Sequence, residues 1–323
     1  MTINEKILKR KLGNTAIEVT PIGLGMMEFA GGGGLLGAAF PKISQDVKNE
    51  IVKAGLESGI NWFDTAELYG RGISESSLAV ALKAAGIGND EVVIATKWWP
   101  LFRTAGNIHR TINTRLRLLG GYPIGLYMVH QPFGMSSPEA EMDAMAELIN
   151  QGKIRSVGVS NFKPERMQRA HNRLKEHGVA LAVNQVHYSL LNRSIEKDGT
   201  LALARELGVS IIAYTPLEFG LLSGKYHKHP ELLSTKSFHW RLRLRAGIEK
   251  SRELVAALEN MAKQYDATPA QVALNWVIHA QGESVVTIPG VTKVSQAQEN
   301  AAAMNFILTS SEIEQLNNLT SQF

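Results

Sequence analysis

The sequence predicts a (β/α)8 barrel, on two observations. Eight short apolar runs alternate with longer amphipathic stretches along the 323 residues. Polar residues close four successive runs, Asp64, Lys97, His130 and Ser160, at intervals of 33, 33 and 30 residues, each about one strand-helix unit. A doubly wound open sheet is the alternative, and the even spacing favours the barrel.

The runs are Ile22–Gly25, Ile60–Asp64, Val92–Lys97, Gly125–His130, Ser156–Ser160, Val183–Gln185, Ser210–Tyr214 and Val285–Pro289. They are apolar or β-branched without strict alternation, as in parallel strands covered on both faces. Between them, Ser44–Ser58 opens on a capping serine and sets Val47, Ile51 and Ala54 on one face. Further helices are expected at Glu75–Ala85, Ile108–Leu119, Pro138–Gln151, Pro164–Glu176, Thr200–Leu207, Ser251–Gln264, Pro269–Gln281 and Ser310–Leu319. Pro138 and Pro269 suit a first helical turn. Glu5–Val19 turns at Gly13–Asn14 and reads as an N-terminal β-hairpin at the barrel bottom, with Gly31–Gly34 a flexible loop at the opposite face. The stretch from Tyr214 to Lys250 reads as a long loop after the seventh strand, either a lid or an insertion. No shift of composition marks a linker, so residues 1–323 are expected to form one domain.

Composition narrows the function. Hydrophobic residues make up 44% and charged residues 20%, the balance of a chain that buries a core. Lys plus Arg exceeds Asp plus Glu by 34 to 30, a surplus too small and too dispersed to suggest nucleic acid or an anionic membrane. With no cysteine, thiolate metal sites, disulfides and cysteine nucleophiles are excluded. The first ten residues lack the apolar core of a secretory signal, and no run approaches a membrane span. The expectation is a soluble cytoplasmic protein, a monomer or weak homo-oligomer.

Two phosphate motifs fail. Gly220–Tyr226 is one residue short of a Walker loop and has Tyr226 where a hydroxyl should meet magnesium. No Gly-x-Gly-x-x-Gly follows a first strand and opens a helix, which argues against a Rossmann site. His227 and His229 lack a completing carboxylate and read as a solvated pair, so no metal is assigned.

Chemistry concentrates where barrel strands end. Asp64, Lys97 and His130 should converge on one mouth, with Tyr69 five residues beyond Asp64. Buried among apolar strands, Asp64 and Lys97 need each other as partners. A nearby ammonium should lower the pKa of the Tyr69 phenol, and His130 can orient a carbonyl or relay a proton. A lone ion pair would be structural; four such residues at one mouth point to catalysis.

The sequence resembles the aldo-keto reductases, from about Leu12 to about Asn300. The resemblance rests on an ordered set of motifs: Gly23–Met26, Phe63–Gly70, Ala95–Lys97, Tyr127–His130, Gly158–Phe162 with Asn184 and Gln185, Tyr214–Leu217 with Gly220–Tyr226, and Ile288–Gly290 leading to Asn300. It implies that Asp64, Tyr69, Lys97 and His130 are catalytic. It also implies a nicotinamide cofactor, NADP(H) with NAD(H) as the alternative. Ser160, Asn161 and Gln185 would hold the carboxamide, and Tyr214 would stack on the ring. Met26 and Asp64 would lie near the ribose, and Leu217, Gly220, Leu221 and Lys225 would cradle the pyrophosphate. Gly290, Thr292, Gln296, Glu299 and Asn300 would surround the adenosine. Gly290 and Gln296 stand where many members carry a lysine and an arginine for the 2′-phosphate, and Lys293 is a nearby source of charge. Glu218 and Phe219 are bulkier and more acidic than the family pattern.

Trp98 and Trp99 follow Lys97 directly and, with Phe29 and Phe102, suggest an apolar substrate wall, one tryptophan in the pocket and the other packed. Trp240 is a candidate to close over the site. Arg103 reads as solvated, with contact to an acidic substrate group as the alternative. The expected activity is NADPH-dependent reduction of a small carbonyl compound, with Tyr69 as acid. The alternatives are a catalytically weak nicotinamide-binding regulatory or scaffold subunit, and a barrel lyase or isomerase.

Overall fold

Strand pairing gives an eight-stranded parallel sheet whose first and last strands meet. In this computed structural model, residues 8–31, 42–235 and 238–323 are described. Gly32–Gly34 of the first loop and Glu5–Ile7 of the expected hairpin lie outside them. Two short strands, β1 (Arg10–Lys11) and β2 (Glu18–Val19), pair antiparallel as the hairpin. The barrel strands are β3 (Leu24–Gly25), β4 (Trp62–Asp64), β5 (Val93–Trp98), β6 (Leu126–Val129), β7 (Val157–Ser160), β8 (Leu181–His187), β9 (Ser210–Tyr214) and β10 (Val285–Thr287). Each pairs with its sequence neighbour. The circle closes through Gly23 N to Thr287 O (2.9 Å), Gly25 N to Pro289 O (3.0 Å) and Thr287 N to Pro21 O (2.9 Å).

The hairpin plugs the bottom. Leu12 and Val19 join Trp62, Leu126, Met128, Val183, Ile212 and Val286 in one buried cluster inside the barrel. Gly13 adopts φ +54° at the turn, and a Cβ there would fall 2.6 Å from the Ala182 carbonyl oxygen. Only glycine fits both the left-handed backbone and that approach.

The helices, in order, are α1 (Gln45–Glu57), α2 (Ile73–Ala84), α3 (Gly106–Leu118), α4 (Pro138–Asn150), α5 (Pro164–Glu176), α6 (Ser194–Lys197), α7 (Thr200–Leu207), α8 (Lys225–Lys228), α9 (Phe238–Gln264), α10 (Pro269–His279), α11 (Val294–Ala302) and α12 (Ser310–Leu319). Ser44 and Ser137 cap α1 and α4 through their side chains, as a serine before an apolar-faced helix should. Thr268 and Gln271 form a reciprocal capping box on α10.

The Tyr214–Lys250 stretch departs from expectation. It is not a long loop: it holds 3-10 turns at Glu218–Ser223 and Pro230–Thr235, α8, and the first half of α9. Helix α9, expected to begin at Ser251, begins at Phe238. Leu244 packs with Leu221, Tyr226 and Leu233 in a small core of its own, which gives this segment apolar burial. Helix α11 is a further element that the strand-helix alternation left out. Among the described residues no helix is long and apolar enough to cross a membrane, and no group of three or more His, Cys, Asp or Glu is placed to hold a metal.

Candidate active site

The C-terminal strand ends deliver the polar residues to one mouth. Asp64 ends β4, Lys97 lies near the end of β5, and His130 follows β6. Lys97 is fully buried and pairs through Nζ with Asp64 Oδ1. Its ammonium also donates to Thr65 O (2.9 Å), and Gln185 Nε2 donates to Asp64 Oδ2 (2.9 Å). Charges this deeply placed need partners on every side. Burial pushes the Asp64 carboxyl up and the Lys97 ammonium down, and each partner's charge opposes the other's shift.

Tyr69 opens a short turn after β4. Lys97 Nζ lies 5.1 Å from its ring centroid, and the His130 ring meets it edge-on at 5.7 Å. Its phenol is pushed well above 10 by burial first, then by the charges of Asp64 and Glu28. Burial and the carboxylate charges thus outweigh the lowering expected from the Lys97 ammonium. His130 is held well below 6.5, by burial and then by Lys97, so it is a neutral imidazole. Its Nδ1 is buried and meets no partner among the described residues.

A second group lines the rim from β7 to β9. Ser160 Oγ donates to Gln185 O (2.9 Å), Asn161 Nδ2 to Ser160 Oγ (3.2 Å), and the Tyr214 hydroxyl to Asn161 Oδ1 (3.0 Å). Asn161 itself has φ +60°. Met26 is fully buried and donates its N–H to Asp64 O (2.8 Å), which ties the first strand's end to the ion pair. Tyr214 stacks on His187, with centroids 5.5 Å apart and planes 11° from parallel. Asn192 Nδ2 lies 2.6 Å from His187 Nδ1, and His187 Nε2 lies 2.6 Å from Glu218 Oε1. The sequence pointed to neither His187 nor the Glu218 contact.

The third group follows β9 and β10. Gly220 has φ +86°, and a Cβ there would meet the Lys225 ammonium at 2.5 Å. Leu217 precedes that turn and Leu221 is buried within it. Gly290 faces Glu28, whose carboxyl a Cβ at 290 would strike at 2.3 Å. Glu28 Oε2 is buried without a partner among the described residues, and burial raises this carboxyl to about 7. Gln296 Oε1 is spent on its own helix, accepting from Thr292 N (2.7 Å) and Thr292 Oγ1 (3.1 Å). Glu299 offers its backbone carbonyl to Gln271 Nε2 (3.1 Å). Asn300 Nδ2 is buried and meets no acceptor among the described residues.

The aromatic residues divide. Trp99 stands at the mouth, edge-on to both His130 (5.3 Å) and Phe133 (5.5 Å). Trp98 is fully buried and donates Nε1 to Asn107 Oδ1 (3.0 Å), so it packs under α3. Phe29 is not at the mouth. It turns inward in the 3-10 turn Met27–Ala30 and is fully buried in the main core. Phe102 is exposed at the rim. Trp240 contacts Phe219 edge-on at 4.7 Å, and Arg243 covers both rings.

Comparison with known proteins agrees with this geometry. The sequence model of the aldo/keto reductase family matches residues 21–321. A pyridoxal reductase of Arabidopsis thaliana is 33% identical over 95% of this chain and 84% of its own length. The aldo-keto reductase str7 of Strobilurus tenacellus is 32% identical over 97% of this chain and 92% of its own. Among solved structures, the thermostable aldo-keto reductase Tm1743 superposes with a TM-score of 0.76 at 29% identity, covering 97% of this chain and all of that one. An aldo/keto reductase from Klebsiella pneumoniae, solved with NADP and acetate, gives 0.74 at 28% identity over 97% and 96%. A match over nearly the whole sequence, on a closed eight-stranded barrel, makes this chain a member of the aldo/keto reductase family of oxidoreductases.

Proposed function

We propose that the protein reduces aldehydes and ketones to alcohols with NADP(H), and that Tyr69 supplies the proton. The observation that carries the reading is the cluster at the mouth: a neutral phenol, edge-on to a neutral imidazole, above a buried Lys97–Asp64 pair. The Klebsiella pneumoniae relative crystallised with NADP supports the choice of cofactor.

The residues present suit such a cofactor. Asn300 offers a buried amide N–H that meets no acceptor among the described residues, which fits a nucleoside acceptor. The hydroxyl and amides of Ser160, Asn161 and Gln185 are the donor and acceptor types a carboxamide needs. Tyr214 offers a flat ring already aligned by His187. The backbone at Gly220 and the Lys225 ammonium suit a pyrophosphate. When bound, the cofactor supplies the hydride.

The chain's own work is proton transfer. A carbonyl oxygen placed between Tyr69 and His130 accepts hydrogen bonds from the phenol and, in its Nε2–H tautomer, from the imidazole. As negative charge grows on that oxygen, the phenol gives up its proton. Lys97 then holds the phenolate by charge, at a position fixed by Asp64 and Thr65. Because Tyr69 keeps its proton at rest, the acid is ready at any ordinary pH. A steady-state assay of NADPH oxidation over a panel of aldehydes tests this reading. Saturable turnover supports it. Tight NADPH binding with no turnover across the panel would instead favour a regulatory subunit.

A further inference from the structure

Three arginines meet in one cavity beside the mouth. Its volume is about 380 Å³ and its walls are Glu67, Leu68, Arg71, Trp99, Arg103 and Arg115. Trp99, one of these walls, also meets His130 edge-on at 5.3 Å.

The charges do not balance locally. Arg103 pairs with Glu67 (2.8 Å) and keeps a third of its side chain exposed. Arg115 is buried on α3 and pairs through Nη1 with Glu75 (2.7 Å), but its Nε meets no acceptor among the described residues. Arg71 has no ion pair or hydrogen bond among the described residues. It nevertheless sits in a left-handed conformation, φ +55°, between Gly70 and Gly72, which are left-handed as well. That region is disfavoured for a residue with a Cβ. The cavity thus sets three guanidiniums against Glu67 and Glu75. Glu75 is raised by burial to about 7, which trims the opposing charge further. A guanidinium fork is the side chain best shaped to take a carboxylate or phosphate by two parallel hydrogen bonds.

Next to these walls stand exposed apolar side chains: Leu101 and Phe102 lie between Trp99 and Arg103 in sequence, Phe133 meets Trp99 edge-on, and Met135 donates its N–H to the Arg103 carbonyl. From this the geometry points to an anion subsite that takes the acidic end of an aromatic or aliphatic carbonyl substrate, with Arg71 as its principal ligand. The assignment rests on the reductase reading above and names its substrate class: aldehydes and ketones carrying a carboxylate or phosphate.

Reduction of 4-carboxybenzaldehyde against benzaldehyde tests it. The wild-type protein should favour the acid in kcat/KM by about tenfold or more, as one charge-assisted hydrogen bond allows. In Arg71→Met the ratio should fall toward one through KM, and in Arg71→Lys much of it should return. A ratio near one in the wild type, or one unchanged in Arg71→Met, overturns the subsite. If neither aldehyde is reduced, the reductase reading fails, and calorimetric titration with benzoate judges the cavity by itself. Saturable benzoate binding that Arg71→Met abolishes supports the subsite; no binding overturns it. Inorganic phosphate binding as tightly as benzoate, with no preference for the acid aldehyde, marks a free-anion site and overturns the substrate assignment.

Discussion

The Tyr69 ring meets the His130 imidazole edge-on, their centroids 5.7 Å apart and their planes at 83°. That contact sets the phenol beside an imidazole whose pKa burial holds well below 6.5. If Tyr69 is the acid, Tyr69→Phe should retain NADP+ affinity and lower kcat by about 10²–10⁴. Single-turnover kinetics would check this, and unchanged turnover would remove Tyr69 from the mechanism. Burial holds the phenol well above 10 and the imidazole well below 6.5. So kcat should show neither limb of a bell between about pH 7 and pH 9.

Lys97 is a structural element as well as a candidate catalytic one. Removing it strands a buried carboxylate that then has, among the described residues, only Gln185 as a side-chain partner. Lys97→Met should cost about 3–5 kcal/mol of stability. Adding Asp64→Asn should restore part of that loss, because the uncompensated charge goes too. Denaturant melts of the two singles and the double give the coupling. A double variant no more stable than Lys97→Met would argue that Asp64 is not the ammonium's main partner.

Glu28 makes a prediction with a definite sign. Its pKa lies near 7 in the folded protein and near the ordinary 4.5 in the unfolded chain. The folded state therefore holds this proton more tightly, and its contribution is present below about 4.5 and lost as pH rises toward 7. Glu28→Gln cannot ionise and escapes that loss. Its advantage over the wild type should be small at pH 4.5 and reach about 1–3 kcal/mol at pH 8. Thermal melts at the two pH values would measure it. An advantage equal at both would show that the carboxyl is not desolvated.

Glu218 reaches the candidate cofactor face through His187. The chain Glu218–His187–Tyr214 aligns an aromatic plane by one short hydrogen-bonding contact and one stack. Glu218→Ala leaves the imidazole held by Asn192 on one side alone, and NADP+ should bind about fivefold more weakly, the value of one net hydrogen bond. Fluorescence titration reads this directly. Unchanged affinity would leave Glu218 a purely local contact of the turn, shared with Ser189.

Much of this was legible in the sequence because buried parallel strands leave a strong mark. Unbroken apolar runs ended in Asp64, Lys97, His130 and Ser160, and the barrel rule put those ends on one face. The rest was hidden for identifiable reasons. Phe29 is an aromatic side chain that suits a pocket wall as well as a core, and only the 3-10 turn Met27–Ala30 decides that it is buried. The start of α9 is rich in arginine, and its buried face depends on Leu221, Tyr226 and Leu233, which local periodicity cannot reveal. Arg71 and Glu28 gave no signal, since what distinguishes them is a missing partner, a property of the assembled neighbourhood. Spacing brings Tyr69 near Lys97 and so suggests a lowered phenol pKa, whereas burial, which spacing does not reveal, raises it.

The seam between β3 and β10 joins residues near the two ends of the sequence, as does Arg10, whose guanidinium reaches the Val285 carbonyl at 2.6 Å. During synthesis the first barrel strand must wait until Val285–Pro289 has been made before its outer hydrogen bonds exist. Until then a nascent chain carries two raw sheet margins, and residues 290–300 have not yet left the ribosome when β9 is made. Folding intermediates that lack this late-arriving piece should be the ones most prone to sticking together, and the ones a chaperone would need to shield.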